Sequence, residues 1–180
     1  MGCGGGVSTV YQPLKNCRSL GWVVRRMKLY VISNPEKCSG CRICELVCAL
    51  KKEGVSNPKK ARIRIVRVFP GFDVAVACRF CEEPPCVLMC PRSALSVGEN
   101  GVIVVEKEKC DGCGICVEAC EFGAITLHPD TKLPIACDLC GGEPECVKYC
   151  PECALEITSA ENIAKRARMI SFKKYLETFP

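Results

Sequence analysis

The chain has 180 residues, 19 of them cysteine and one histidine, and a formal charge of +5. With cysteine set aside, only about 37% of it is hydrophobic, too little for a conventional apolar core, so something besides apolar packing must hold the chain together. A secreted disulfide scaffold would need a leader, yet "MGCGGGVSTVYQPLKNC" has no apolar h-region. Arg25-Arg26 ahead of "MKLYVISNPEK" is read as a chance basic pair. The "MGCGGG" opening carries Gly6 where a lipidation signal has Ser or Thr. No apolar run approaches the roughly 20 residues of a membrane-spanning helix. The expectation is a soluble, cytoplasmic protein with no direct membrane span.

In chain order, residues 1–26 read as a disordered extension, with Met27 an alternative start. A tight cysteine group follows, Cys38, Cys41, Cys44 and Cys48, with a short helix expected from "ELVCAL". "ARIRIVRV", Ala61 to Val68, alternates as a strand does. An expanded group comes next, Cys78, Cys81, Cys86 and Cys90, then a strand in "GVIVVE". The second tight group is Cys110, Cys113, Cys116 and Cys120, with a short helix in "VEACEF". "AITL" and "LPIA" form hairpin arms around Pro129-Asp130, and the last group is Cys137, Cys140, Cys146 and Cys150. Thr158-Ser-Ala-Glu161 has the form of a capping box opening a helix through "NIAKRARMISFKKYLETF". Its apolar face carries Ile163, Ala167 and Ile170, and folding back on its own domain and docking onto a partner both remain open.

The groups alternate tight, expanded, tight, expanded. The tight pair shares "EKCxGCxICxxxC" and the expanded pair shares "EPxCVxxCPxxAL", an internal duplication. Cys153 aligns with Ser93 in the repeat, and Cys3 and Cys17 fall outside it, so none of the three is expected to be a ligand. Thiolates are soft ligands that suit zinc or iron–sulfur clusters. CxxCxxC lets one loop wrap three corners of a cubane, while a fourth thiol comes from elsewhere. Gly40, Gly112 and Gly114 let the backbone approach such a cluster and aim N–H groups at its sulfurs. The alternative of another class is a zinc-stabilised scaffold. Zinc knuckles, however, have no use for a third cysteine at the same spacing.

The stretch "CSGCRICELVCALKKEGVSNPKKARIRIVRV" and the cysteine groups between Lys28 and Thr158 resemble the four-cluster ferredoxin-like electron-transfer subunits of dimethyl sulfoxide reductase, formate dehydrogenase and hydrogenase complexes. Among these the chain is most similar to the small subunits that accompany tungsten-containing aldehyde oxidoreductases of anaerobes. The resemblance implies four [4Fe–4S] clusters with exchanged ligands. One set is Cys38, Cys41, Cys44 with Cys150, and its neighbour is Cys137, Cys140, Cys146 with Cys48. The inner pair is Cys110, Cys113, Cys116 with Cys90, and Cys78, Cys81, Cys86 with Cys120. Cys48-Ala49 and Cys120-Glu121 lack the proline that follows Cys90 and Cys150, a departure from the plain ferredoxin run.

The implied architecture is α+β, two nested bacterial-ferredoxin-like modules of short strands and helices. The outer module spans 27–77 plus 137–158, the inner spans 78–136, and an amphipathic helix occupies 159–180. The implied function is a relay of single electrons between a catalytic tungsten or molybdenum oxidoreductase subunit and a carrier such as ferredoxin. A free polyferredoxin, or a hydrogenase or carbon monoxide dehydrogenase component, is the variant reading.

Lys51, Lys52, Lys59, Lys60, Arg62, Arg64 and Arg67 form a basic run, read here as a solvated strand face. Four clusters with their thiolates would change the formal +5 to about −3, so nucleic acid is not an expected partner. His128 sits beside Pro129 in a turn and is a poor candidate for a base. With no nucleophile–base pair or phosphate loop in the sequence, the chain is expected to carry electrons and do no substrate chemistry itself.

Overall fold

The computed structural model describes residues 28–68 and 71–178. The expected extension 1–26, Met27, Cys3 and Cys17 lie outside the described residues. Short apolar runs interrupted by cysteine loops cannot build long ladders. Accordingly, the described strands pair only in antiparallel twos. β1 (Leu29–Ser33) pairs with β8 (Leu155–Ser159), Leu29 opposite Ser159 and Ser33 opposite Leu155. This ladder ties the two ends of the cysteine region together. β2 (Arg64–Val68) pairs with β3 (Phe72–Val76), β4 (Leu95–Val97) with β5 (Ile103–Val105), and β6 (Thr126–Leu127) with β7 (Pro134–Ile135). The strand expected from Ala61 starts at Arg64. Ala61 and Ile63 are instead buried in the core ahead of it.

α1 (Ile43–Glu53) is an 11-residue helix closed by Gly54, whose N–H donates to Leu50 O. α2 (Pro85–Leu88), α3 (Ile115–Glu118) and α4 (Glu145–Lys148) are single turns of four residues. The helix expected across "VEACEF" is thus shorter than its apolar spacing suggests, because the chain turns at Cys120 instead of continuing. α5 (Ala160–Thr178) forms as expected, with its cap displaced by one residue. Thr158 is buried in β8 opposite Tyr30, and Ser159 Oγ accepts the Asn162 N–H at 3.4 Å. From Ala164 onward every described side chain of α5 is exposed, so the described part of the helix does not fold back on the body.

The buried residues form two groups. The larger gathers Val31, Ala49, Ala61, Ile63, Phe80 and Leu155 around Cys44, Cys48, Cys137 and Cys146. The smaller gathers Ala94, Leu95 and Ile125 around Cys86 and Cys116. Phe80 and Ile63 are the largest fully buried side chains among the described residues. Alanine and cysteine make up much of the rest, as the composition required.

The basic run is only partly a solvated face: Lys51, Lys59 and Arg67 are exposed, whereas Lys52, Lys60, Arg62 and Arg64 are half-buried and engaged. Lys52 Nζ meets Asp138 Oδ2 at 2.7 Å, Lys60 Nζ meets Asp130 Oδ2 at 2.7 Å, and Lys51 Nζ meets Glu145 Oε1 at 3.5 Å. Arg62 bridges to Glu53 and Arg67 to Asp73. The Arg64 guanidinium donates to the carbonyls of Pro58 and Lys59 and to Thr126 Oγ1. Much of the run clamps the α1–β2 segment onto residues 126–145, pairings that local periodicity does not encode.

Candidate metal centres

The tight loop at Cys38 is shaped by its neighbours. Gly40 has φ +67, and a Cβ there would run into the Asp73 carboxylate. Asp73 is buried in β3 and held by Arg67. Glu45, buried in α1, accepts the Ile65 N–H at 2.8 Å. The β2–β3 hairpin is thereby pinned against the first loop.

The described cysteines come together in four sets. One hollow is lined by Cys38, Cys41 and Cys44 from one loop together with Cys150. A second is lined by Cys110, Cys113 and Cys116 with Cys90, and a third by Cys78, Cys81 and Cys86 with Cys120. The fourth set is marked by its electrostatics. The Cys146 thiol is pushed up by burial and then, in falling order, by Cys137, Cys48, Cys140 and Cys44, so Cys137, Cys48 and Cys140 act on it most strongly among the cysteines. Neighbouring sets lie within electrostatic reach of one another in series, Cys44 of Cys146, Cys78 of Cys137, and Cys116 of Cys86. Cys41 and Cys113 are the exposed members of the sixteen free cysteines, and they belong to the first and last sets of that series.

A motif that cysteine spacing alone does not reveal presents the distal thiols. Cys90, Cys120 and Cys150 each accept an N–H from the alanine four residues on, Ala94, Ala124 and Ala154, at 3.3, 3.4 and 3.3 Å. The turn needs a left-handed residue one step earlier, and Ser93, Gly123 and Cys153 occupy it with φ of 48, 60 and 47°. Cys153 is therefore a turn residue. The signal was legible as "CPRSA", "CEFGA" and "CPECA". Cys48 departs from it, since α1 continues past it, and its sulfur takes an N–H from Arg62 at 3.2 Å instead.

Burial pushes the Cys44 and Cys137 thiols up to about 12 and Cys86 to about 11, with neighbouring cysteines adding to the shift in each case. Neutral thiols must lose protons to bind metal. Zinc bonds to sulfur at about 2.3 Å, so its ligands crowd onto one point. Among the described residues no three His, Cys, Asp or Glu side chains do so. Thiols spaced around a hollow, each distal one already hydrogen-bonded, suit a larger body of iron and sulfide. His128 is buried in its turn, where Nδ1 accepts the N–H groups of Asp130 and Thr131 at 3.2 Å. That is a structural role.

Such thiol sets on a small α+β frame define an iron–sulfur protein. The 4Fe-4S binding domain family matches residues 103–126, the segment that holds the second tight loop. The polyferredoxin-like subunit of an aliphatic sulfonate oxidoreductase from Pyrococcus furiosus is 46% identical over 126 residues, 69% of this chain and 73% of that protein. The putative electron transport protein YsaA of Escherichia coli is 36% identical, covering 77% of this chain and 95% of that one. The thiosulfate reductase electron transfer subunit PhsB of Salmonella typhi is 34% identical over 71% and 74% of the two chains. The chain belongs to this family of [4Fe–4S] polyferredoxin-like electron-transfer subunits, which serve catalytic oxidoreductase subunits. Among the described residues no helix is long and apolar enough to cross a membrane.

Proposed function

We propose that the chain holds four [4Fe–4S] clusters and relays single electrons along them between a tungsten or molybdenum oxidoreductase subunit and a carrier such as ferredoxin, in the cytoplasm. The ligand sets are Cys38, Cys41, Cys44 with Cys150; Cys137, Cys140, Cys146 with Cys48; Cys78, Cys81, Cys86 with Cys120; and Cys110, Cys113, Cys116 with Cys90. They define an inner module, 78–136, nested in an outer one, 27–77 plus 137–158, with the helix 159–180 appended. The observation that carries the reading is that each hollow is shared by three thiols of one loop and one from a distant segment. When bound, the clusters supply one-electron acceptance and donation. Cys41 and Cys113, the exposed thiols, belong to the two end sets of the series.

Anaerobic purification is expected to yield about 16 iron and 16 sulfide per chain, and half that amount, with no loss on handling, would leave one module empty. A fragment from Cys78 to Ala136 contains all the proposed inner ligands and is expected to assemble two clusters alone, whereas a fragment ending at Ala77 holds none. A stable cluster on the latter would overturn the exchange of ligands. Tungsten or molybdenum in the complex that co-purifies with the chain identifies the partner class; nickel would point to the hydrogenase reading.

A further inference from the structure

Three of the distal thiols are served by an alanine N–H four residues on, and Cys48 is served by Arg62. The exception arises from α1, which runs on to Glu53 and commits that N–H to its own ladder. With the Arg62 backbone comes a charged side chain. Burial pushes the Cys48 thiol up, and the Arg62 backbone N–H, the Arg62 guanidinium and the Lys52 ammonium work against that rise. Lys52 is fixed by Asp138 at 2.7 Å. Arg62 Nη2 is fixed by Glu53 Oε1 at 3.3 Å, and Glu53 Oε2 stands 3.7 Å from His128 Nε2. The Arg62 side chain is only 19% exposed, and Nη1 is enclosed with no hydrogen-bond partner among the described residues. An enclosed guanidinium N–H without a partner is costly, and such a donor beside a thiol set is suited to an anionic centre.

Resting on the ligand sets proposed above, we propose that Arg62 is a positioning residue that raises the reduction potential of the centre at Cys48, Cys137, Cys140 and Cys146. Reduction there adds one electron, supplied by the redox partner, and makes or breaks no bond. The centre gains one negative charge, so a fixed neighbouring cation stabilises the reduced form more than the oxidised one. Glu53 and Asp138 act in the opposite sense but hold the two cations in place.

The test is a potentiometric titration, followed by electron paramagnetic resonance, of the full-length protein loaded under anaerobic conditions. The centre lost in Cys137→Ser identifies the relevant signal. In Arg62→Gln its reduced-to-oxidised ratio at fixed ambient potential is expected to fall about tenfold, equal to 59 mV for one electron, with the other centres unmoved. In Glu53→Gln the same centre shifts the opposite way. An unshifted centre in both variants, at full iron content, overturns the inference and leaves the ligand sets standing. If Arg62→Gln loses iron, Glu53→Gln decides, an upward shift supporting the inference and no shift overturning it. If Cys137→Ser loses neither iron nor a signal, the ligand reading falls and this inference falls with it.

Discussion

The two tight loops, 38–53 and 110–123, share their cysteine spacing and differ in the chain beyond their third cysteine. After Cys116 the chain makes one helical turn, and Gly123 in the left-handed region lets Ala124 reach back to Cys120. After Cys44 the helix continues through Leu50, Lys51 and Lys52, and Cys48 is presented from within α1. The loops also enter their helices differently. Gly114, at the position before α3, has φ 85, whereas its counterpart Arg42 has φ 61. Cysteine spacing thus governs how three thiols sit in a loop, and the residues beyond it govern how the distal thiol is held and which charges accompany it.

The largest effects should show whether the two distal thiols are equivalent despite these settings. Cys48→Ser and Cys120→Ser are each expected to remove or convert one cluster, a loss of up to about four iron per chain, while Cys153→Ser leaves iron content unchanged. Iron loss in the Cys153 variant would break the assignment of that residue to the turn. Proton release is the next comparison. Burial raises the Cys44, Cys86 and Cys137 thiols, so in the metal-free protein they are protonated at neutral pH. Binding requires thiolates, so loading releases up to about four protons per cluster and is favoured as pH rises. A pH-stat record of anaerobic reconstitution with no acid produced would contradict the raised thiols.

Smaller effects separate the loops by their glycines. Gly40→Ala places a Cβ against the buried Asp73 carboxylate at φ +67 and is expected to cost about 3 kcal/mol. Gly114→Ala meets only Leu127 Cδ1 at 3.7 Å, so it should cost only the left-handed penalty of about 1–2 kcal/mol. Thermal midpoints measured anaerobically should rank them in that order, and the reverse order would show that Asp73 yields freely. Arg42→Gly relieves the same penalty in the first loop and is expected to stabilise by up to about 1 kcal/mol. Smallest is Lys60→Ala, under about 1 kcal/mol, because Asp130 on the other side of the pair is 67% exposed.

The duplication, the four cysteine groups, the turn-forming residues around Pro129 and the exclusion of Cys3 and Cys17 from the repeat could all be read from the sequence. Each rests on local spacing, which a short loop or turn translates directly into geometry. Helix α5 was legible for the same reason, though its cap lies one residue further on than the motif suggests, because pairing of β8 with β1 draws Thr158 into the strand. The structure alone decided the ladder between Leu29–Ser33 and Leu155–Ser159, the use of the basic run as clamps to Asp130, Asp138 and Glu145, and the service of Cys48 by Arg62. Those contacts join residues far apart in the chain, where neither periodicity nor motif spacing carries information. They form only once the loops are packed, because a charge or an N–H finds its partner by proximity in space.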